Sequence, residues 1–298
     1  MQGSKWVALL VLAAAALYGA PAGAQLEDNL GAYTDDTAEG YLKPLQEAFG
    51  QSLNSNFFTT AAIPLTGFRA RLEVRAMSVM FEDEDDFFDA TTGGDFSPEQ
   101  TVEAPTAVGP GGSVVVTGDG GTAYVFPGGF DLKSFTIGVP QLTIGGVAGT
   151  EAMIRWIAVD LGDSDFGELS LLGLGLRHSI SQYMPAAPLD LAVAGYYQSF
   201  KIGDDFIDSK ATSIGLQASK SLGVLVPYGG VAYDMSSMTV QYTATSGAEE
   251  REVELDMDSE STFHLTLGVG AQLGVVHLNA SGELAQRMGF SVGAGIGF

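Results

Sequence analysis

Met288-Gly-Phe-Ser-Val-Gly-Ala-Gly-Ile-Gly-Phe298 closes the sequence with a strict two-residue alternation. Successive side chains of a strand point to opposite faces. Met288, Phe290, Val292, Ala294, Ile296 and Phe298 therefore share one face, and Gly289, Ser291, Gly293, Gly295 and Gly297 the other. The first face is built to meet an apolar medium. The second carries almost no side chains.

Residues 68–76 repeat the alternation with charge, Phe68, Ala70, Leu72, Val74 and Ala76 against Arg69, Arg71, Glu73 and Arg75. If the apolar row meets lipid, the charged row must face inward, because an arginine on the lipid face at the bilayer midplane costs about 2–4 kcal/mol. Phe263, Leu265, Leu267, Val269, Ala271 and Leu273 follow the same code against His264, Thr266, Gly268, Gly270 and Gln272. Further strands are expected at 132–146, 150–161, 167–183, 189–202, 209–222, 227–244, 275–283 and 288–298, ten in all. The implied fold is all-β: a transmembrane antiparallel β-barrel of ten strands, or of twelve if a hairpin at 114–126 joins the wall. An even count places both termini on the periplasmic side. A soluble sandwich of about eight strands is the competing architecture.

Composition favours the barrel. Hydrophobic residues make up 46% and charged residues only 16%, with 40 glycines, as suits strands that give half their side chains to lipid. The net charge of −23 excludes nucleic acid as a partner, since phosphate needs lysine and arginine. There is no cysteine, so stability rests on pairing and packing. Residues 1–24 read as a cleaved export leader: Lys5, the apolar run Trp6–Leu17, and the small-x-small site Ala22-Gly-Ala24.

Residues 25–65 are expected to form an N-terminal helical unit ahead of a barrel at 66–298. Ala38, Tyr41, Leu42, Leu45, Phe49 and Leu53 recur at helical spacing, and Pro44 predicts a break into two short pieces. Such a unit either hangs as a periplasmic tail or plugs the lumen. Glycine marks close approach. A plug at Tyr41–Leu53 is therefore expected to set Tyr41, Leu45 and Phe49 against Gly289, Gly293 and Gly295.

Connections sort by length and charge. Those near 146–149, 184–188, 223–226 and 274 are tight, uncharged and assigned to the periplasm. Those at 82–131, 162–166, 203–208 and 245–258 hold most of the acid and are assigned outside, the first being a long extracellular loop.

Tyr41-Leu-Lys-Pro-Leu45 with Leu53-Asn-Ser55, Val139-Pro-Gln141 with Gly149-Thr-Glu151 and Arg155, and Arg177-His-Ser-Ile-Ser-Gln-Tyr183 with Pro185, Pro188 and Asp190 span most of the chain. In these stretches the sequence resembles an uncharacterised family of Gram-negative outer-membrane β-barrels, a domain of unknown function. It is more distantly similar to outer-membrane long-chain fatty-acid transporters, which place an N-terminal helical segment in a monomeric barrel. The resemblance implies export to the bacterial outer membrane, contact with its lipid and lipopolysaccharide, delivery by a barrel-insertion machinery that reads Phe298, and a monomer.

The candidate site is the inward row: Arg69, Arg71, Glu73, Arg75, Arg155, Arg177, His264, His277, Asn279 and Glu283. The arginines either form an anion-attracting constriction or pair with Glu73, Glu151, Asp190 and Glu283, and pairing is preferred because an unpaired buried charge is expensive. No enzyme is expected. Ser179 and Ser181 follow His178 at odd offsets and fall on the opposite face of its strand. Asp256-Met-Asp258-Ser-Glu260 lacks the glycine turn of a calcium loop, so no metal or cofactor is expected. A barrel of this size has a narrow or plugged lumen. The expected function is passive transport or binding of a small hydrophobic molecule, the alternative a structural or surface-interaction role for the acidic loops.

Overall fold

The computed structural model describes residues 25–298 apart from 27, 32, 34, 94–95, 161–167, 185, 204–205 and 247–248, with the backbone alone at 35–36, 244–246 and 249–250. The expected leader, Asp163, Asp165, Asp204, Asp205 and Pro185 lie outside the described residues, as do the side chains of Glu249 and Glu250.

Among the described residues the helix α1 (Asp35–Leu53) precedes fifteen strands. These are β1 (Arg69–Met80), β2 (Phe87–Thr91), β3 (Thr101–Pro105), β4 (Val114–Thr117), β5 (Ala123–Phe126), β6 (Ser134–Val147), β7 (Thr150–Asp160), β8 (Glu168–Ser179), β9 (Asp190–Ile202), β10 (Ile207–Ser219), β11 (Leu225–Ser246), β12 (Glu249–Asp258), β13 (Thr262–Leu273), β14 (Val276–Leu284) and β15 (Met288–Gly297). The wall runs β10-β9-β8-β7-β6-β1-β15-β14-β13-β11 and closes through β10–β11, an antiparallel barrel of ten strands. β15 lies beside β1 with Arg71 opposite Gly297 and Val79 opposite Gly289. The closing strand and the first charged strand are thus wall neighbours. Outward residues such as Phe68, Leu72, Phe290, Val292 and Ile296 are exposed, an apolar belt.

The 114–126 hairpin, β4–β5, stands apart from the wall, as does β2–β3, so the count is ten and not twelve. Two expectations change. Residues 249–258 are not loop but β12, which pairs with the overhanging end of β11. There Val253, Leu255 and Met257 are buried, and Glu252, Glu254, Asp256 and Asp258 alternate with them on the outer face. And α1 continues unbroken through Pro44. A proline inside a helix costs about 3 kcal/mol in an exposed setting. Here the helix is packed against β1, β2, β6, β10, β11 and β12, and those contacts override the local preference.

The interior has two layers. Toward the Phe298 end the inward row is polar: Arg71, Glu73 and Arg75 on β1, Gln141 on β6, Arg155 on β7 and Gln198 on β9, all buried. Toward the other end it turns apolar, with Met77, Val79, Val139, Ile157, Leu171 and Phe200. α1 sits in this second layer, and Phe49 packs its ring 5.1 Å from Phe135 and 4.6 Å from Phe200. Beyond the wall, Leu30, Tyr33 and Tyr41 join Phe126 and Tyr242 in the same apolar cluster, a folded crown over the mouth. The chain then returns through the barrel at 54–64 and emerges at Leu65 to begin β1. The described residues of 25–53 therefore lie at the end opposite Phe298. The apolar stripe of α1 finds its burial in the crown and upper lumen rather than below the barrel.

Candidate functional site in the lumen

Residues 54–61 are buried although they pair with no strand. An extended backbone without a ladder needs partners for its N–H and C=O groups. The wall supplies them. Arg155 donates from Nη1 to Leu53 O at 3.5 Å and from Nη2 to Ser55 O at 2.9 Å and Asn56 O at 2.6 Å. Arg75 Nη1 reaches Asn56 O at 2.7 Å, Gln141 Nε2 reaches Phe57 O at 3.2 Å and Arg177 Nη1 reaches Thr60 O at 2.8 Å. Gln198 also donates to Leu53 O. Ala61 N donates to Ser219 Oγ at 2.8 Å. The cavity left between this segment and β10, β11 and β13, lined by Phe58, Ser213, Gly215, Thr266 and others, measures about 20 Å³, room for one water.

Part of the arginine row pairs as expected. Arg75 Nη2 meets Glu73 at 2.8 Å, and Glu151 is shared by Arg177 and by Arg71 at 3.7 Å. Glu283 goes elsewhere: His264 stands between it and Asp234, with Nε2 2.9 Å from Glu283 and Nδ1 2.6 Å from Asp234. Among the described residues Asp190 forms no ion pair with an arginine, and Arg155 meets no carboxylate. It instead holds Gln141 Oε1 at 2.9 Å and lies 4.3 Å from the Phe57 ring centre. Asn279 donates to Asn56 Oδ1 at 3.1 Å. Arg69 is exposed at the Phe298 mouth, and His277 is half-buried there.

The glycine face of β15 is used differently from the expectation. A side chain at Gly289 would stand 3.4 Å from Gln51 Nε2 of α1. At Gly293 it would collide with Asn279 and crowd Arg75, and at Gly295 with Glu73 and the backbone of Leu72. Those glycines make room for long polar side chains of the wall, lying flat across the sheet, rather than for the helix. Tyr41 and Phe49 face other surfaces: Tyr41 donates to Gly128 O at 3.1 Å, and Phe49 meets β6 and β9. Leu45 packs into the crown cluster. The carboxylates of 254 and 256 lie on the outer face of β12, where Gln241 donates to Glu254 at 2.9 Å and Thr239 to Asp256 at 2.6 Å. His178 meets Thr150 at 2.9 Å and Tyr183 at 3.0 Å, while Ser179 turns to Ser181.

One cluster fastens the helix to the barrel rim. Arg287, in the turn between β14 and β15, reaches Asp85 Oδ1 at 2.5 Å and Glu47 Oε2 of α1 at 2.9 Å. Gln51 exchanges hydrogen bonds with the Arg287 backbone, at 2.8 and 3.1 Å. Partial burial pushes the Asp85 carboxyl up, but donation from Arg287 and the Glu82 N–H outweighs it and holds the group below its ordinary 3.8. A depressed carboxyl contributes stability above its unfolded value and loses it as pH falls through the folded one. The clamp is therefore expected to hold at pH 5 and to loosen only below about pH 4. Limited proteolysis of 82–131 across that range should show the step, and Asp85→Asn should abolish it.

Several residues that build the site did not stand out in the sequence: Asn56, Phe57, Gln198, Gln217, Asp234 and Tyr196. The alternation already places Gln198, Gln217 and Tyr196 on inward positions. Asn56 just past a helix end is a left-handed cap signal, and its φ is 54°.

Among solved structures the chain is similar to the outer-membrane protease OmpT of Escherichia coli, at 10% identity over 80% of this chain and 98% of that one, with a TM-score of 0.32. It is similar to the translocator domain of the autotransporter NalP of Neisseria meningitidis, at 13% identity, 86% and 93% coverage and TM-score 0.31. The toluene transporter TbuX of Ralstonia pickettii aligns at 10% identity, 83% and 92% coverage and TM-score 0.19. No curated protein matches the sequence. One family model covers residues 3–298, and the chain belongs to that family, described as a family of unknown function, DUF6588.

Proposed function

We propose that this chain is an outer-membrane barrel, closed at rest, that passes a small molecule when residues 54–64 leave the lumen. One observation carries the reading: the lumen is filled by the N-terminal stretch of the chain, α1 in its upper layer and residues 54–64 below it, and the cavity between that stretch and β10, β11 and β13 measures about 20 Å³. A permanently solid barrel would be filled by its own inward side chains. Here the inward rows carry Gly215, Gly230, Gly268, Gly293 and Gly295, and the thread takes up the middle. In this reading the leader exports the chain, Phe298 is read by the insertion machinery, the apolar belt meets lipid and lipopolysaccharide as a monomer, and the crown stands outside the cell. No catalytic step is assigned, because both nitrogens of His264 are taken by carboxylates.

A surface-interaction role is the second reading, favoured by Glu252, Glu254, Asp256 and Asp258 along the exposed face of β12. Planar-bilayer recording separates the two. Without a permeant aromatic ion present, the full chain is expected to open too rarely to give resolved conductance steps and a variant lacking 25–64 to show stable ones; a silent deletion variant that folds would favour the surface role. A tag inserted after Gln25 is expected to bind antibody on intact cells, and a tag beside Phe298 is not.

A further inference from the structure

Arg155 is fully buried at mid-lumen, and its acceptors are neutral: two glutamine side chains and the carbonyls of Leu53, Ser55 and Asn56. A desolvated guanidinium without an opposite charge is costly to keep. Two of those acceptors, the carbonyls of Ser55 and Asn56, belong to the thread that must leave for the barrel to open, and the Leu53 carbonyl ends α1 just before it. Arg75 gives Nη1 to Asn56 O and keeps Nη2 for Glu73. The carbonyl oxygen of Asn56 thus sits between two guanidinium groups, the place of an oxyanion. Beside it the Phe57 ring lies flat on Tyr196, centroids 3.8 Å apart and planes 6° apart. Tyr196 is steadied from the wall, where Gln217 Nε2 donates to its hydroxyl at 2.7 Å.

Two oxygens on a guanidinium with a planar ring close by are the outline of an aromatic carboxylate. We propose that residues 55–57 stand in for such a ligand, and that the opened lumen binds small aromatic anions: the carboxylate on Arg75 and Arg155, the ring on Tyr196. Of the acids around the site, Glu73 takes only Nη2 of Arg75, and the others are committed elsewhere, Glu151 to Arg71 and Arg177, and Asp234 and Glu283 to His264 across the lumen. The proposal rests on the closed-at-rest reading and replaces its unspecified small hydrophobic cargo with a charged one.

A lock separates the two ideas. Thr60 Oγ1 and Ser219 Oγ are 3.1 Å apart, and the chain has no cysteine, so Thr60→Cys with Ser219→Cys offers one reducible tie between thread and wall. Full-length protein in lipid vesicles would be assayed for uptake of benzenesulfonate and of trimethylanilinium, rings of matched size with permanent opposite charges. Reduced protein is expected to admit benzenesulfonate on the order of tenfold faster than the cation. Oxidised protein should admit neither. Arg155→Gln should erase the preference and Arg155→Lys should keep part of it, folding being checked by heat-modifiable migration. Equal uptake of both ions, or faster uptake of the cation, overturns the anion site while lock-dependence still supports a closed barrel. Uptake that ignores the lock overturns the closed barrel itself. Absence of uptake by reduced protein overturns the anion site, and conductance of the 25–64 deletion then decides the other.

Discussion

Replacing Asn56 with leucine is expected to destabilise the folded barrel by about 3–5 kcal/mol, the sum of a strained backbone and buried polar groups left without partners. Asn56 holds φ at 54°, a left-handed conformation that asparagine tolerates and leucine resists. Its side chain accepts from Arg75 at 3.0 Å and Asn279 at 3.1 Å, and donates to Val292 O at 3.1 Å and Ala76 O at 3.4 Å. One residue thereby ties the thread to β1, β14 and β15. Leucine would leave Asn279 short of an acceptor and put an alkyl group among guanidiniums. Asn56→Gly keeps the backbone free and loses only the side-chain bonds, so it should cost about half as much. Urea unfolding in detergent gives both values, and a leucine variant within about 1 kcal/mol of the parent would remove Asn56 from the centre of this account.

The barrel was legible because its code is local. Arg69, Arg71, Glu73 and Arg75 against Phe68, Ala70 and Leu72 fix a face without reference to any other strand, and the expected strand ends agree with the structure to within a few residues. β12 escaped because the acids at 252, 254, 256 and 258 were read as a charged loop, although Val253, Leu255 and Met257 between them carry the same period of two. Pro44 misled for the opposite reason: a local rule was sound, and tertiary packing overrode it. The thread at 54–64 has no periodicity to read, since its order comes from wall side chains distant in sequence, Arg155 and Gln198 among them. The inward arginines could be named from parity alone. Glu73 and Glu151 could be named beside them, but the acceptors on the thread could not, because backbone carbonyls leave no mark in a sequence.

Glu151→Ala is expected to cost about 3–5 kcal/mol and to harm the barrel more than loss of either arginine the carboxylate serves, because it strands two buried guanidiniums at once. Glu151 lies opposite Arg177 in the β7–β8 ladder and opposite Gly145 in the β6–β7 ladder. A side chain at Gly145 would collide with that of Glu151, so the sheet is cut away to let the carboxylate lie flat toward β1. There it meets Arg71, which is itself only 7% exposed. The two arginines also grip the thread, Arg71 through Thr59 Oγ1 at 3.2 Å and Arg177 through Thr60 O at 2.8 Å. Removing the acid should therefore loosen the exit of the thread as well as the wall. Arg177→Met leaves Glu151 with Arg71 and should cost less. Glu151→Leu combined with Arg177→Met removes one charge of each sign and should recover much of the loss, as replacement of buried ion pairs by apolar residues often does. Unfolding midpoints of Glu151→Leu, of Arg177→Met and of the double variant close the cycle; additive losses would show that the pair is not coupled. A Glu151→Ala protein that folds yet conducts where the parent is silent would trace the same carboxylate from wall stability to closure of the lumen.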